Sequence, residues 1–255
     1  MGTDRYFNSR SAAQRYVQGR PSLHPQVVER MQQRLPPGWP VPRAIDVACG
    51  TGLSTVALKP VAREIVGTDI SEEMIRLAPV DPQITYVVAP AEDLPFPDAH
   101  FDLLTLCAAL HWLDARVFFG EARRVLRSGG HMVIYDNAFT GRMEENPAFH
   151  PWLRRVFLAE YPMPPRHRPS MPQRAEEAGF RSLGEEEYRN TVTLSPDRLV
   201  DYLVSRSDVI AAVEGGRQSI EQARAWLIER VVPFFGGNEE RSFLFGGPIW
   251  YFEKP

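Results

Sequence analysis

Lysine is nearly absent from this chain of 255 residues, and cysteines and long apolar runs are scarce as well. Only Lys59 and Lys254 are lysines among the 29 basic residues, and 32 acidic residues bring the formal net charge to −3. A surface that binds nucleic acid needs a clustered excess of basic residues. We therefore expect no nucleic-acid partner.

The two cysteines, Cys49 and Cys107, are too few for a disulfide framework or a zinc cluster. The six histidines have no metal-ligand spacing, so no metal site is predicted. No apolar run approaches the ~18 residues of a membrane span. The first 30 residues carry charges throughout and lack the apolar segment of a secretion signal. These absences predict a cytoplasmic protein with no membrane partner.

Short apolar segments alternate with helical segments through the middle of the chain. Five of them read as strands, at 44–48, 64–68, 84–88, 101–109 and 131–135. The fourth is almost wholly apolar and must be buried on both faces. Strands separated by helices and short loops predict a doubly wound parallel sheet.

The remaining residues are predicted to surround this sheet within one domain over 1–255. The predicted parts are an N-terminal helical cap at 1–43, a cofactor-binding core at 44–137, helical lid insertions at 138–186 and 195–240, and final strands at 187–194 and 242–252. The fold class is therefore α/β, with a Rossmann-like seven-stranded sheet. Five strands are parallel, and at least one of the two C-terminal strands is antiparallel.

The unusual polar residues follow the predicted strands, where ligands bind in open parallel sheets. Gly50 and Gly52 allow a tight turn that brings backbone N–H groups close to a ligand, but Thr55 replaces the third glycine of a dinucleotide fingerprint. Asp46 repels a pyrophosphate and can hold a cationic ligand directly or through water, which favours a positively charged cofactor over NAD. Asp69 either accepts both hydroxyls of a ribose or caps the next helix.

Four segments carry a family resemblance. They are DVACGTG at 46–52, GTDIS at 67–71, AEDLPFPDAHFD at 91–102 and RRVLRSGGHMVIYD at 123–136. In this order and spacing the chain resembles the class I S-adenosylmethionine-dependent methyltransferases. More narrowly, it is similar to the small-molecule branch that includes the trans-aconitate and ubiquinone/menaquinone methyltransferases. The resemblance covers about residues 44–137.

The resemblance implies S-adenosylmethionine as the cofactor and assigns roles to the matching positions. Gly50 and Gly52 flank its methionine and ribose parts, and Ala48 contributes a backbone carbonyl. Asp69 holds the ribose, and Ile70 packs on the adenine ring.

On the adenine side, the chain departs from the family pattern at one position. The resemblance implies that Ala91 gives its N–H to adenine N1. Pro90 stands where such proteins usually carry Asp or Asn, so either Glu92 substitutes or stacking alone holds the ring. Cys107 is either beside the cofactor or a buried core thiol.

Residues on the acceptor side are expected from three parts of the chain. His111 follows the fourth strand as a general base or as a packing residue, and Trp112 forms an aromatic wall for the substrate. Tyr16 reaches over the cofactor from the N-terminal helix or only packs there. Trp152 and Tyr161 contact substrate or form the core of the lid. The arginines of the same insertion clamp an acidic substrate or form a solvated face; they are Arg154, Arg155, Arg166 and Arg168.

The predicted activity is methyl transfer to an oxygen, a carbon or a carboxylate of a small molecule, by in-line displacement at a sulfonium carbon. A general base is needed only where the acceptor gives up a proton. Two alternatives remain: a catalytically silent binding or regulatory protein for S-adenosylmethionine, and a methyltransferase of RNA or protein.

Overall fold

The computed structural model describes residues 7–36, 38–165 and 171–255. The chain divides into two compact units. Of the described residues, the sheet unit comprises 22–36, 38–137, 171–188 and 247–255, and the helical unit comprises 7–21, 138–165 and 189–246. The predicted single domain stays a prediction. Arg166 and Arg168 fall outside the described residues, whereas Arg154 and Arg155 are exposed.

The helices and strands alternate through most of the chain. In chain order the helices are α1 (Arg10–Gly19), α2 (His24–Arg34), α3 (Leu53–Ala57), α4 (Glu72–Ile75), α5 (Ala115–Val125), α6 (Phe149–Trp152), α7 (Leu158–Glu160), α8 (Met171–Glu177), α9 (Pro196–Val204), α10 (Ser207–Glu214) and α11 (Ile220–Phe235). The strands are β1 (Val41–Val47), β2 (Ala62–Asp69), β3 (Ile84–Val88), β4 (Phe101–Cys107), β5 (Leu126–Tyr135), β6 (Ala138–Met143), β7 (Arg181–Leu194) and β8 (Arg241–Glu253). A π-helical turn, Leu153–Phe157, joins α6 to α7, and a 3₁₀ turn, Leu110–Trp112, precedes α5.

The sheet unit contains the predicted parallel strands in the order β3-β2-β1-β4-β5. The C-terminal part of β8 pairs antiparallel with β5, and β7 pairs with β8. The predicted fold class is confirmed, because the chain has helices between parallel strands and an antiparallel C-terminal strand.

Over the described residues, the sheet has eight strands rather than the predicted seven. Within the helical unit, β6 pairs antiparallel with the first part of β8, although 138–186 was expected to be a helical insertion. In β6, buried Gly141 and Met143 alternate with exposed neighbours, which is the period of a strand. Because Gly141 and the later Pro147 are residue types that indicate turns or loops, this short alternation does not stand out in the sequence. Strands β5 and β7 begin five and six residues earlier than predicted, at Leu126 and Arg181.

Both faces of the parallel sheet are covered. Ile45, Val47 and Leu104 belong to one apolar core, which α5 and α8 help to form. Ala44 and Leu103 belong to a second core on the opposite face, together with buried residues of α2. Successive residues of one strand therefore serve opposite cores, as expected for a doubly wound sheet.

The helical unit is packed largely through rings. Helix α1 packs on α9, and so does α11. At the α1–α9 contact, a Cβ on Gly19 would lie 2.1 Å from the carbonyl oxygen of Asp201, so only glycine allows this approach. A set of mutually contacting rings, called here the aromatic cluster, comprises Phe139, Phe149, Trp152, Phe157, Tyr161, Tyr202, Trp226, Phe234, Phe243 and Phe245.

Two expected absences can be compared with the described part of the chain. None of its helices combines the length and the apolar character that a membrane crossing requires. Within the same residues, no group of three or more His, Cys, Asp or Glu side chains could hold a metal ion. The cytoplasmic location stays a prediction.

Candidate functional site

The carboxyl ends of four neighbouring strands meet at one edge of the sheet unit. Val47 of β1 is in register with Thr68 of β2 and with Leu106 of β4. One strand further along, Cys107 is in register with Tyr135 of β5. The loops that leave these strands therefore form the candidate site.

The turn after β1, Ala48–Gly52, has a strained backbone. Ala48, Gly50 and Gly52 have φ angles of 53°, 57° and 79°, in the left-handed region that residues other than glycine rarely adopt. A Cβ on Gly52 would also lie 2.3 Å from the hydroxyl oxygen of Tyr86. Glycine is thus required at position 52 for both backbone and space. Such conformations often occur at ligand sites.

Asp46 of β1 forms hydrogen bonds with residues on both sides of this turn in the fold. Its side chain is fully buried, and its oxygens accept hydrogen bonds from the hydroxyls of Ser54, Thr55 and Thr105 at 2.6, 2.7 and 2.8 Å. Burial raises the pKa of Asp46, and the three hydroxyls oppose that rise. In this structure Asp46 bonds to protein hydroxyls. A cofactor contact by Asp46 stays a prediction.

Asp69 joins the turn after β1 to the end of β2. One carboxylate oxygen accepts the N–H of Gly50 at 2.8 Å, and the other accepts the N–H of Ser71 at 2.9 Å. Burial raises the pKa of Asp69. The Asp69 side chain does not cap α4; the hydroxyl of Ser71 does, accepting the N–H of Met74. Next to Asp69, the apolar side chain of Ile70 is 51% exposed.

The predicted adenine segment is tied to α5. Ala91 is buried, and the Glu92 carboxylate accepts the N–H of Asp114 at 2.9 Å. Sequence reasoning missed Arg124, whose guanidinium donates to the carbonyls of Leu94 and Phe96 at 2.8 and 2.7 Å. The role of Arg124 could not be predicted, because nothing in the sequence distinguishes it from the other arginines, which number 27 in all.

The turn after β4 carries the predicted acceptor-side residues. Cys107 ends β4, and Ala108 follows with a left-handed φ of 50°. His111 and Trp112 lie in the 3₁₀ turn, both half-buried, with ring centroids 4.8 Å apart. Their roles as base and wall stay predictions.

Asn137, which follows the fifth predicted parallel strand and is expected from the sequence as polar lining or as a helix cap, belongs to a polar group beside Cys107, whereas the sequence did not predict His24 there. The Nδ1 atom of His24 lies 2.8 Å from the Tyr135 hydroxyl and 3.3 Å from Nδ2 of Asn137, which in turn lies 3.7 Å from the Cys107 sulfur. His24 precedes the parallel strands by many residues. No local pattern connects it to β5.

The other predicted contacts belong to the helical unit. The Tyr16 ring lies 4.6 Å from the Arg20 guanidinium, which also lies 5.2 Å from the Tyr202 ring. Trp152 and Tyr161 belong to the aromatic cluster, and the Tyr161 hydroxyl accepts a hydrogen bond from Gln218 at 2.8 Å. Cofactor binding by Tyr16 and substrate binding by Trp152 and Tyr161 stay predictions.

Known proteins resemble the chain most clearly over the sheet unit. Residues 45–134 match the family model described as a methyltransferase domain. An uncharacterized methyltransferase of Mycobacterium tuberculosis is 28% identical over 87% of this chain and 82% of its own length. A demethylmenaquinone methyltransferase of Clavibacter sepedonicus is 40% identical over 36% of this chain and 40% of its own. A solved structure from Anaeromyxobacter dehalogenans, described as a candidate Type II methyltransferase, has a TM-score of 0.71 at 24% identity, covering 91% of this chain and 97% of that one.

The sequence and fold comparisons agree with the resemblance carried by the four motif segments. The domain match spans the strained turn after β1, Asp69, the end of β4 and all of β5 except its last residue. The solved structure contributes the similarity of the fold. The chain thus carries a methyltransferase domain over residues 45–134 and is similar to the class I S-adenosylmethionine-dependent methyltransferases.

Proposed function

We propose that this chain transfers the methyl group of S-adenosylmethionine to a small-molecule acceptor. The observation that carries the proposal is the arrangement of Asp69 against the Gly50 N–H, which holds a carboxylate at the strained turn after β1. A net charge of −3 also favours a small acceptor over RNA.

The residues present fit an adenosyl sulfonium compound. Each Asp69 oxygen accepts one backbone N–H and keeps a lone pair for a ribose hydroxyl. The exposed Ile70 offers an apolar surface beside it, as adenine requires. The Thr51 hydroxyl, in the turn itself, is buried and has no hydrogen-bond partner among the described residues. A buried polar atom left unpaired at this turn is consistent with a polar ligand.

In this reaction, the residues of the chain bind the cofactor and orient the reacting groups. Asp69 and Ile70 hold the nucleoside, and Ala48 contributes its backbone at the turn. Asp46 keeps the turn in shape through its three hydroxyl partners. When bound, S-adenosylmethionine supplies an electrophilic methyl carbon. The remaining contribution of the protein is alignment of the acceptor and exclusion of water.

The first experiment separates the proposed function from its alternatives. Calorimetry is expected to detect binding of S-adenosylhomocysteine to the full chain. Incubation with methyl-labelled S-adenosylmethionine and a metabolite extract is expected to label a small product. Absence of binding by the folded protein contradicts the family role. Binding without any labelled product supports the silent binding protein, and label on added tRNA or protein supports the third alternative.

A further inference from the structure

His24 and Tyr135 meet at the carboxyl edge of the sheet unit. His24 is the first residue of α2 and Tyr135 is the last of β5, and their rings pack edge to face with centroids 5.9 Å apart. The Tyr135 side chain is fully buried, whereas His24 is half-buried. The 2.8 Å contact therefore joins a buried hydroxyl to a partly accessible imidazole.

Asn137 determines where the protons lie. Its Nδ2 contacts Nδ1 of His24 at 3.3 Å, and an amide nitrogen can only donate. With the amide in this orientation, Nδ1 is the unprotonated nitrogen of a neutral imidazole, and the Tyr135 hydroxyl also donates to it. The Oδ1 atom of Asn137 is buried and has no partner within the described residues. It remains available to a donor on a bound acceptor.

This pair lies one strand beyond the residues that follow β4. Tyr135 is in register with Cys107, and its carbonyl accepts the N–H of Ala108 at 2.8 Å. Cys107 is itself in contact with Asn137. The pair is therefore at the edge of the sheet that carries the strained turn after β1.

The titratable groups facing the pair are mostly acids. Those acting on the Tyr135 phenol are Cys107 of β4, Asp46 of β1 and Tyr188 of β7, while Asp136 and Arg30 act on Tyr188. Burial and these acids raise the pKa of Tyr135 well above its ordinary value. A phenolate is consequently disfavoured. Tyr135 can pass a proton on but not act as the base itself.

We propose that Tyr135 and His24 take up the proton given up by the methyl acceptor, and that the acceptor group is therefore a hydroxyl or an amine rather than a carboxylate. This inference rests on the proposed methyl transfer. The acceptor oxygen or nitrogen bonds to the methyl carbon, the carbon–sulfur bond breaks, and its electron pair stays on sulfur. The acceptor proton moves to the Tyr135 oxygen while the Tyr135 proton moves to Nδ1 of His24. The positive charge ends on the imidazolium, which returns its proton to solvent.

The proton arrangement is tested without cofactor or substrate. Nitrogen NMR of the full chain labelled at histidine is expected to show Nδ1 of His24 unprotonated at neutral pH. Tyr135→Phe is expected to shift the His24 titration, whereas Tyr251→Phe, which removes another buried hydroxyl on β8, is expected to leave it unchanged. A protonated Nδ1, or a titration insensitive to Tyr135→Phe, overturns the relay.

Kinetics then separate a relay from a structural role. Transfer of label into the extract is expected to fall about 100-fold or more in His24→Gln, the usual scale of acid–base catalysis. The same variant is expected to lose the acid limb of the pH–rate profile and to keep its affinity for S-adenosylhomocysteine. His131→Gln, within β5 and four residues before Tyr135, is the matched control and is expected to keep the wild-type profile. Wild-type rates in His24→Gln overturn the relay, while the proposed function stands.

The product decides the acceptor class. Carboxylate methylation gives a methyl ester, which releases labelled methanol in mild base, whereas methylated hydroxyls and amines are stable. A base-stable label on oxygen or nitrogen is expected. Released methanol, or a label bound to carbon, overturns the acceptor class. Absence of S-adenosylhomocysteine binding to the wild type instead contradicts the proposed function.

Discussion

The sheet unit and the helical unit bury their side chains in different ways. Around the turn after β1, two carboxylates have specific hydrogen-bond donors: Asp46 accepts three hydroxyls, and Asp69 accepts two N–H groups. In the helical unit, the rings of the aromatic cluster are buried mainly against one another. An apolar cluster tolerates exchanges of similar volume, whereas a buried polar group requires particular partners. Only the polar arrangement therefore leaves a motif in the sequence.

The largest effect is expected from the aromatic cluster. Phe149→Ala removes a fully buried ring that contacts Trp152, Phe234 and Phe243, and should cost about 3–5 kcal/mol in free energy of unfolding. Urea denaturation measures the loss. Val156→Ala, exposed in the adjoining turn, is the control and should change stability by about 0.5 kcal/mol or less. Equal effects of the two variants contradict the idea that ring packing stabilises this unit.

A smaller loss of stability is expected at the strained turn. Gly52→Ala forces a side chain into a left-handed backbone, at about 1–2 kcal/mol, and adds a clash with Tyr86. Introducing Tyr86→Phe as well should recover part of the loss, because the nearest atom is removed. Gly120→Ala, in α5 with open space around it, is the matched control and should be neutral or stabilising. A Gly52→Ala protein as stable as the wild type would show that the turn is not strained.

Binding is expected to respond more than stability at Asp69. Asp69→Asn removes the charge from a carboxylate that accepts the Gly50 N–H, and hydrogen bonds to charged groups contribute about 1.5–3 kcal/mol. The affinity for S-adenosylhomocysteine should fall by about ten- to a hundredfold, measured by calorimetry. Glu64→Gln, exposed on the same strand, should bind as the wild type does. Unchanged affinity in Asp69→Asn would contradict the proposal that Asp69 binds the ribose.

The smallest effect concerns pH. Because burial raises the pKa of Asp69, its carboxylate becomes protonated at a higher pH than an ordinary aspartate. A protonated carboxyl accepts hydroxyl hydrogen bonds less well, so affinity for S-adenosylhomocysteine should decrease as pH falls through this raised pKa. The decrease should be absent in Asp69→Asn. The same pH dependence in both proteins would assign it to another group.

The parallel sheet and the turn after β1 could be predicted because each depends on neighbours in sequence. The apolar residues of strand β4 predict that it is buried. Gly50 and Gly52 predict a tight turn, and their φ angles are left-handed in the structure. Strand β6 could not be predicted, because it is short and is stabilised by pairing with β8, which follows about a hundred residues later. Long-range pairing of this kind has no local signal.

The candidate site divides in the same way. Asp69 and Ile70 were expected, since the motif carries them together at the end of one strand. The contacts of Arg124 with the carbonyls of Leu94 and Phe96 were not expected, because one arginine among many is not distinctive. The same holds for His24, which lies more than a hundred positions from Tyr135.

The sequence by itself determined the fold class, the resemblance to a methyltransferase domain and the turn that follows β1, because strand periodicity, glycine backbone freedom and motif spacing are local properties. The tertiary structure alone decided that Asp46 is enclosed by hydroxyls, that Phe149 lies among rings, and that His24 meets Tyr135. Those contacts join elements far apart along the chain, and only the packing of a helix against a strand end brings such side chains within hydrogen-bond distance.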